Sequence, residues 1–359
     1  MSENTSKTDE QQVTLAHGAG GAAMRTLLSE QVLPRFVENA EATGESKTPS
    51  EDDWVGIADL DDGAVLPIDA ETALVFTTDT HVVKPIDFPG GDIGRLAVAG
   101  TVNDLAMMGA TSPAALSCAL VLEEGTPLSV VESVLDSMKK TAAEAATPIT
   151  TGDTKVMEHG DIDGIVVNTA GVAAIDRGQS VSDAGLAPGD AIIVSGPVGD
   201  HGIALLAARE GFEFGGELES DVAPVNHLVE AAMAAGEVTA MKDPTRGGLA
   251  NALNEMADKA EVGIDIEEEA VPLSGATASA GEVLGIDPLS VANEGRVVFA
   301  VKADDAEEVL AAIREQAGGE EANIVGEVTD DHLSRVVVDT GFGRRYLTEP
   351  EGEALPRIC

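Results

Sequence analysis

Residues 92–108 read DIGRLAVAGTVNDLAMM and predict a single helix with one carboxylate on an otherwise apolar face. An α-helix has 3.6 residues per turn, which brings one set of positions onto a common stripe. The members of this stripe are Ile93, Ala97, Gly100 and Asp104. A carboxylate among small and apolar side chains costs free energy unless it meets a partner. Asp104 is therefore either a ligand for a cation or a carboxylate that reaches water or an amide at the edge of the face.

The segments around this helix mix strands and helices without a regular βαβ repeat, which indicates the α+β fold class. Apolar runs at 64–68 and 72–77 predict a hairpin, and Pro188-Gly189-Asp190 predicts a domain boundary. The other predicted strands are 114–122, 149–150, 164–174, 191–195, 263–266, 296–301 and 323–327, and the other predicted helices are 128–146, 202–209, 225–235, 248–259 and 304–316.

Four regions follow from these patterns. The leader is expected to be disordered over residues 1–12, with a short strand at 13–15 and a helix that ends before Pro34. An acidic surface loop then extends to Asp53, and the end of the chain is acidic and contains two prolines, so we expect a flexible tail there. The expected ranges are 1–53 for the leader, glycine-rich segment and acidic loop, 54–178 for the first domain, 185–346 for the second and 347–359 for the tail.

The charge of the chain excludes several classes of function. There are 64 acidic residues against 21 lysines and arginines, for a net charge of −43. Such a chain repels nucleic acids and anionic membranes, and aromatic residues make up only 3% of it. The acidity fits a protein of a salty cytosol, with ordinary acidic solubility as the alternative. With no signal peptide and no apolar run of membrane length, we expect a cytoplasmic protein.

Five acidic motifs lie beside a glycine or at the predicted end of an element. Hard oxygen ligands of this kind suit Mg²⁺ that also holds phosphate oxygens, and an anionic substrate would need such a bridge to approach so acidic a protein. The motifs are Asp61-Asp62-Gly63-Ala64, Asp79-Thr80-His81-Val82, Asn103-Asp104, Gly152-Asp153-Thr154-Lys155 and Asp243-Pro244-Thr245-Arg246-Gly247-Gly248.

Three residues in or near these motifs have both a functional and a structural interpretation. Arg246 and the two glycines after it could bind an anion at a helix N-terminus, or form a proline-led capping turn. Lys155 is a phosphate contact, a proton carrier or an exposed lysine in a turn. Glu294, within Asn293-Glu294-Gly295, is a general base or an ordinary loop glutamate. Because arginine is scarce, the anion site is favoured for Arg246.

Cys359 is the last residue of the printed sequence, within Pro356-Arg357-Ile358-Cys359. No residues follow it, so it does not form a prenylation signal. It is an accidental surface cysteine, a thiol that links two copies, or a carrier thiol on a tether with a high effective concentration near an active site. The second cysteine, Cys118, lies in an apolar run and is expected in the core.

Together these motifs resemble the HypE family of hydrogenase maturation factors, which are carbamoyl dehydratases. The family belongs to an ATP-using superfamily with aminoimidazole ribonucleotide synthetase, selenophosphate synthetase and thiamine-monophosphate kinase. The resemblance runs from about Leu15 to Cys359, and the acidic insertion at 38–53 departs from it. The motifs that carry it are His17-Gly18-x-Gly20-Gly21, Asn103-Asp104-Leu105-Ala106-x-x-Gly109-Ala110, Gly152-Asp153-Thr154-Lys155-Val156, Asp243-Pro244-Thr245-Arg246-Gly247-Gly248, Asn293-Glu294-Gly295 and the terminal tetrapeptide.

The resemblance implies an aminoimidazole ribonucleotide synthetase-like fold of two α+β domains. It implies a homodimer in which strands of the N-terminal domains close a barrel, an α/β sandwich as C-terminal domain, and a glycine-rich leader that covers the nucleotide. It also implies that HypF carbamoylates Cys359, that ATP and Mg²⁺ drive its dehydration to a thiocyanate, and that the cyano group passes to iron on the HypC–HypD complex for a [NiFe] hydrogenase.

The same resemblance suggests roles for individual residues. Asp62, Asp104 and Asp243 are the expected Mg²⁺ and phosphate ligands. Cys359 carries the substrate, Lys155 and Glu294 activate and deprotonate the amide, and His81 is a weaker catalytic candidate. The expected nucleotide contacts are Gly18, Gly20, Gly21, Asp61, Asp79, Asn103, Thr154, Arg246 and Gly247.

Two rival functions remain open at this point. A small-molecule kinase or synthetase of the same superfamily would keep its turnover without Cys359. A non-catalytic carrier would transport a group on its tail without dehydrating it. A nicotinamide enzyme is a distant third, because the Gly18-x-Gly20-x-x-Ala23 pattern lacks a surrounding βαβ unit.

Overall fold

A computed structural model describes residues 12–18, 21–42, 54–212 and 218–350. Two β-sheets organise these residues, one in each half of the chain. The strands are β1 (Ala64–Pro67), β2 (Thr72–His81), β3 (Asp87–Phe88), β4 (Gly91–Asp92), β5 (Ala115–Glu123), β6 (Ile149–Met157), β7 (Ile165–Asp176), β8 (Ala191–Val194), β9 (Val238–Lys242), β10 (Gly263–Glu267), β11 (Val298–Val301), β12 (Asn323–Thr329), β13 (Arg335–Asp339) and β14 (Arg344–Leu347). The α-helices are α1 (Gly21–Leu27), α2 (Leu33–Ala42), α3 (Ile93–Met107), α4 (Leu128–Glu144), α5 (Asp200–Glu210), α6 (Asn226–Ala235), α7 (Gly248–Lys259), α8 (Gly275–Leu284) and α9 (Ala306–Arg314).

The first sheet has the strand order β1-β2-β7-β5-β6. Its β1–β2 hairpin confirms the predicted one, with Ala64 opposite Phe76. Along β7, buried and partly exposed residues alternate, because every second side chain points to the face that α3 covers. Strand β6 is at the edge, runs parallel to β5 after the α4 crossover, and is exposed along its whole length.

Helix α3 confirms the predicted helix and connects the two halves of the molecule. The Asp92 side chain caps it by accepting a hydrogen bond from the Arg95 N–H at 2.8 Å. Gly94 allows α4 to pack closely, because a Cβ there would lie 2.3 Å from the Val134 carbonyl oxygen. The helix is buried almost throughout, since its first turns lie in the first core and Met107 packs in a cluster with residues of the second domain.

The second domain is a seven-stranded sheet with the order β14-β13-β10-β12-β8-β11-β9 and helices on both faces. Helix α7 packs on one face, where Leu253 and Met256 meet Ile264. Helices α6 and α9 pack on the other face against Phe299. The predicted α+β class, with an α/β sandwich as second domain, is confirmed.

Several local predictions were wrong. The chain stays helical across Pro34, which occupies the second position of α2 after a π-helical turn at Leu28–Val32, where a missing N–H is tolerated. No strand forms at 13–15 within the described residues, where a 3₁₀ turn begins at Leu15. The sequence analysis also missed β3, β4, β9, α8, β13 and β14. Among the described helices, none is long and apolar enough to cross a membrane.

The ends of the chain are described only in part. Residues 1–11 and 43–53, from the predicted leader and acidic loop, lie outside the described residues, as do 351–359 of the predicted tail. The predicted tail begins too early, because Leu347 is the last residue of β14 and is buried in the second core.

Candidate active site

Four aspartates from four different elements face one another between the two domains. Asp62 precedes β1, Asp79 lies near the end of β2, Asp104 is in the last turn but one of α3, and Asp243 follows β9 directly. The Thr77 hydroxyl joins two of these elements, because it lies 2.9 Å from both Asp104 Oδ2 and the Asp62 carbonyl oxygen. The predicted metal ligands are therefore neighbours in the fold, although 181 positions separate the first from the last.

Burial raises the pKa of these carboxyl groups, and their mutual repulsion adds to it. The pKa of Asp62 rises to about 8 and that of Asp243 to about 6, in both cases through burial first. The pKa of Asp104 lies well above its usual value because it is buried beside Asp79, Asp243 and Asp62. A cluster of this kind favours a bound cation, which would stabilise the ionised carboxylates.

The donor set fits a hard divalent cation that also takes ligands from a phosphate. Asp62 Oδ2 is buried and has no hydrogen-bond partner among the described residues. Within the same residues, no three His, Cys, Asp or Glu side chains are placed to hold a metal ion by themselves. Mg²⁺ is commonly held by one or two carboxylates, with water and substrate phosphates completing its octahedron. The carboxylates present would hold such an ion only together with a phosphate ligand.

A buried lysine beside the aspartates was not predicted. Lys242, the last residue of β9, lies 3.4 Å from Asp62 Oδ1, 2.9 Å from Asp183 Oδ2 and 3.4 Å from Glu255 Oε2. Burial alone would lower the pKa of Lys242, but these three carboxylates raise it well above its usual value. Lys259 Nζ lies 2.7 Å from Asp183 Oδ2 and donates to the Leu60 carbonyl oxygen, also at 2.7 Å. Lys259 thus fixes the segment between the domains, which carries Asp183, to the loop that carries Asp62.

These groups border a cavity of about 400 Å³. One part of its wall is apolar, with Met24, Leu28 and Leu60, and another part is charged. An apolar wall beside charged groups suits a ligand with a flat base and an anionic end. The lining residues are Gly21, Met24, Arg25, Leu28, Leu60, Asp61, Asp62, Lys242, Asp243, Thr245, Arg246, Asn251, Ala252, Glu255, Asp258 and Lys259.

The start of α7 forms one edge of this cavity. Gly247 and Gly248 both have positive φ, of 76° and 64°, and a Cβ on Gly248 would lie 2.4 Å from the Val291 carbonyl oxygen. Only glycine fits this close approach without strain. The Gly248 N–H donates to the Thr245 carbonyl oxygen at 2.8 Å, so the predicted capping turn is present. Arg246 is partly buried and lines the cavity, and its Nη1 lies 3.8 Å from Met24 Sδ. Among the described residues, no carboxylate lies within ion-pair distance of Arg246.

His81 is buried at the end of β2, beside Asp79. The distance from His81 Nε2 to Asp79 Oδ2 is 3.4 Å, and the ring packs against Gly100 of α3. Burial lowers the pKa of His81, although Asp79 opposes this shift. The lowered pKa favours the neutral imidazole, which is the form that can accept a proton.

Glu294 is buried on a loop that is attached to both domains. Its N–H donates to Asp221 Oδ1 at 3.1 Å, and its carbonyl oxygen accepts from Asn103 Nδ2 at 3.3 Å and from the Ala223 N–H at 3.3 Å. The preceding residue, Asn293, donates its N–H to the Pro244 carbonyl oxygen at 3.0 Å, which brings Glu294 to the same end of the sheet as Asp243.

Asn103 does not have the position expected of a nucleotide contact. It is buried, and its side-chain nitrogen donates to two carbonyl oxygens of the second domain, those of Ala223 and Glu294. Its side-chain oxygen accepts from the Val225 N–H at 2.8 Å. These bonds use both donor hydrogens of the amide, so the structure assigns Asn103 to the contact between the domains.

Lys155 and Thr154 are not brought to the cavity by this chain. Both lie within β6, where a turn was expected, and Lys155 Nζ lies 2.6 Å from Asp153 Oδ2 with 67% of the side chain exposed. Lys155 is level with Val166 of β7, on the face away from α3, whereas His81 is level with Val167 on the opposite face. Three strand spacings, about 14 Å, also separate β6 from β2.

Of the remaining predicted residues, some line the cavity and others do not. Asp61 and Gly21 line the cavity, and Asp61 Oδ2 accepts a hydrogen bond from Ser182 at 2.8 Å. Gly18 is exposed at the end of the 3₁₀ turn and is not part of the lining. Gly20 and Cys359 lie outside the described residues. Arg25, Lys242 and Lys259, which sequence analysis missed, could have been suspected only from the scarcity of basic residues. Glu255, which was also missed, is one of 64 acidic residues and carried no such signal.

Two domain families match the chain in the order of its two sheets. Residues 60–175 match the family "AIR synthase related protein, N-terminal domain", and residues 187–339 match "AIR synthase related protein, C-terminal domain". Together with the acidic cavity between the two domains, these matches define the chain as an AIR synthase-related protein.

Full-length relatives narrow this class. A protein of Methanocaldococcus jannaschii that is named for hydrogenase expression and formation is 48% identical over 348 residues, covering 97% of this chain and 99% of that protein. The carbamoyl dehydratase HypE of Rhizobium leguminosarum bv. viciae is 43% identical over 350 residues, covering 97% and 95%. The chain belongs to the HypE family of carbamoyl dehydratases, which are hydrogenase maturation proteins.

Solved structures of this family have the same fold. A HypE in complex with HypF is 40% identical, with a TM-score of 0.78 over 89% of this chain and 100% of that chain. A HypE in complex with ATP is 39% identical, with a TM-score of 0.77 over 97% of this chain and 100% of that one.

Proposed function

We propose that the chain uses ATP to dehydrate a carbamoyl group carried on the sulfur of its own Cys359. The carboxamide oxygen attacks the γ-phosphorus of ATP, and ADP leaves. Loss of the two amide protons and of the phosphate then converts the S–C(=O)–NH₂ group into S–C≡N. The overall products are the thiocyanate, ADP and phosphate. The observation that carries the proposal is the acidic cavity of about 400 Å³ between the two domains, in a chain of the HypE family.

The cavity residues suit the phosphate side of this reaction. Asp62 and Asp243 line the cavity, and Asp104 lies next to them behind its wall. These three carboxylates would hold a Mg²⁺ ion together with the phosphates, and that ion would neutralise charge on the transferred phosphoryl group. Arg246 would add a guanidinium to the phosphate oxygens at the start of α7. The apolar wall around Met24 and Leu28 would take the adenine and exclude water from the phosphates.

The proton-accepting side is assigned to Glu294, with His81 as support. Glu294 is 5% exposed, and its backbone is held on both sides by hydrogen bonds, which fixes the position from which its carboxylate can act. His81 Nε2 lies 3.4 Å from Asp79 Oδ2, so the imidazole would position that carboxylate.

Lys155 enters the proposal through a second copy of the chain. Strand β6 is an exposed edge with apolar side chains, including Val156 at 66% exposure, and an unprotected edge pairs readily with another strand. We propose a homodimer in which strands of the first domains meet at β6 and Lys155 binds the carboxamide there. Light scattering should give a dimer mass for the unmodified protein and for Val283→Lys, a control exposed to 75% on α8, but a monomer mass for Val156→Lys.

HypF is the proposed donor of the carbamoyl group, and the HypC–HypD complex is the proposed acceptor of the cyano group. The HypF proposal is supported by the HypE–HypF complex among the structural relatives. The HypC–HypD acceptor is what the resemblance to the HypE family implies, and it is compatible with the chemistry, because a thiocyanate sulfur can give up its cyano carbon to a reduced iron centre.

The decisive experiment is mass spectrometry of the C-terminal peptide after incubation with HypF, carbamoyl phosphate, ATP and Mg²⁺. The peptide should first gain a carbamoyl group and then lose one water. Glu294→Gln and Lys155→Ala should stop at the carbamoyl form, whereas Glu282→Gln and Lys84→Ala, two exposed controls, should complete the reaction. A carbamoylated peptide that is never dehydrated in the unmodified enzyme would leave only the carrier function.

A further inference from the structure

The segment that leads to the last nine residues crosses the mouth of the cavity. Leu347 is buried in the second core, and Asn254 Nδ2 of α7 donates to its carbonyl oxygen at 2.9 Å. Three residues later, Pro350 lies between two glycines of the cavity rim. A Cβ on Gly21 would be 3.6 Å from the Pro350 carbonyl oxygen, and a Cβ on Gly247 would be 3.6 Å from its Cδ. The path of residues 347–350 is thus fixed on both sides.

Between these two anchors, Glu349 forms an ion pair with Arg25 of α1. Arg25 Nη2 donates to Glu349 Oε2, and Arg25 Nη1 lies 3.6 Å from Glu255 Oε1 of α7. Hydrogen bonding with Glu349 raises the pKa of Arg25, with burial opposing. Arg25 itself lines the cavity, so one guanidinium joins the amino-terminal helix, the cavity wall and the start of the tail.

The length of the remaining chain fits this arrangement. Nine residues follow Pro350, and an extended chain spans at most about 3.3–3.6 Å per residue, so the tail reaches about 30 Å at most. A tether that starts at the mouth of a cavity keeps its end at a high effective concentration there. If the first residues of the tail were not held, the end of the tail would spend a smaller fraction of its time near the cavity.

We propose that Arg25 is a positioning residue that holds Glu349 at the cavity mouth and so delivers Cys359 to the site of its own chain. The inference rests on the proposed function for its catalytic consequence and on the contacts above for its geometry. It gives the amino-terminal helix a role in handling the tail, in addition to covering a nucleotide.

A charge exchange tests the pairing. Arg25→Glu and Glu349→Arg should each slow the dehydration of carbamoylated Cys359 about tenfold, and the double exchange should return the rate to within about threefold of the original. Affinity for a non-hydrolysable ATP analogue should change by less than about twofold in Glu349→Arg, which separates tail positioning from nucleotide binding. Arg345→Gln is the matched control. Arg345 lies on β14, away from the cavity, and pairs with Glu268 and Asp287.

A second readout does not depend on dehydratase activity. Glutamyl endopeptidase should cleave after Glu351, the first glutamate of the tail that is not followed by proline, faster in Arg25→Gln than in the unmodified protein, and Arg345→Gln should be cleaved at the original rate. Equal cleavage in Arg25→Gln, or single exchanges with the original dehydration rate, would overturn the inference while leaving the proposed function standing. If Arg25→Gln is cleaved faster as expected, but the unmodified enzyme never dehydrates carbamoylated Cys359, the proposed function is refuted instead.

Discussion

Lys242 and Lys155 each lie within two residues of an aspartate in the sequence, yet the fold gives them opposite surroundings. The Lys242 side chain is 9% exposed and faces three carboxylates, whereas the Lys155 side chain is 67% exposed and faces one. A buried charge without partners is strongly destabilising, while an exposed ion pair contributes little. The residue types in a motif therefore do not reveal how much the motif contributes to the free energy of unfolding. That contribution depends on which parts of the chain pack around the motif.

The largest expected effect follows from removing the buried cation. Lys242→Met should destabilise the protein by about 3–5 kcal/mol, because it removes the only cation that lies within ion-pair distance of Asp62 among the described residues. Asp183 would keep only Lys259, and Glu255 would keep only the more distant Arg25. Urea unfolding measures the change, with Lys155→Met as the matched control at less than about 0.5 kcal/mol. Equal losses in the two variants would remove the distinction between the two lysines.

A smaller effect is expected when a cavity carboxylate is neutralised. Asp62→Asn should weaken the binding of Mg²⁺-ATP about 100-fold, since a carbonyl oxygen replaces a charged ligand. Calorimetric titration with and without Mg²⁺ measures this change. The exposed Asp153→Asn should bind Mg²⁺-ATP as tightly as the original protein, and a loss there would bring β6 into the nucleotide site.

The third test concerns a buried acid whose cation is less well placed. Burial raises the pKa of Asp221 to about 6, although Arg296 Nε lies 3.5 Å from its Oδ2. An unfolded aspartate has a pKa near 3.9, so the folded protein holds this proton more tightly and Asp221 costs stability as the pH rises from about 4 to 6. Asp221→Asn removes that cost. The free energy of unfolding of Asp221→Asn, minus that of the original protein, should increase by about 1–3 kcal/mol from pH 4 to pH 8, as measured by urea unfolding. If this difference is the same at both pH values, Arg296 fully compensates the charge of Asp221.

The smallest expected effect is at the exposed pair. In the monomeric Val156→Lys background, Asp153→Asn should change the free energy of unfolding by less than about 0.5 kcal/mol, because water screens its contact with Lys155 there. The same unfolding measurement in high salt should give the same small value. A loss above about 1 kcal/mol in this background would show that water does not screen the pair.

Sequence patterns predicted what depends on neighbouring residues. The apolar stripe of α3 predicted both the helix and the inward position of Asp104, and the hairpin followed from two apolar runs around a polar turn. Gly152 shows where this reasoning stops. The predicted strand covers only residues 149–150, whereas β6 continues through Gly152 to Met157. Glycine fits in the middle of this strand because a Cβ there would be 2.0 Å from the Cys118 carbonyl oxygen of the adjacent strand. That approach exists only once β5 and β6 are paired.

The missed site residues have the same origin. Lys242 is 59 positions from Asp183 and 180 from Asp62, and Arg25 is 324 positions from Glu349. No local periodicity connects residues so far apart. The acidic motifs were found because each is an unusual short string, whereas their basic partners stand alone within ordinary helices and strands.

Helix α3 has a mechanical consequence. Its early turns belong to one core and Met107 to the other, while Asn103 hydrogen-bonds to the backbone of Ala223 and Glu294. Because α3 packs in both cores, the two domains cannot move apart without breaking the packing in both. Nucleotide exchange should therefore depend on displacing the peripheral α1 and the chain that rests on it, and the pace of turnover would be set at the rim and not at a hinge.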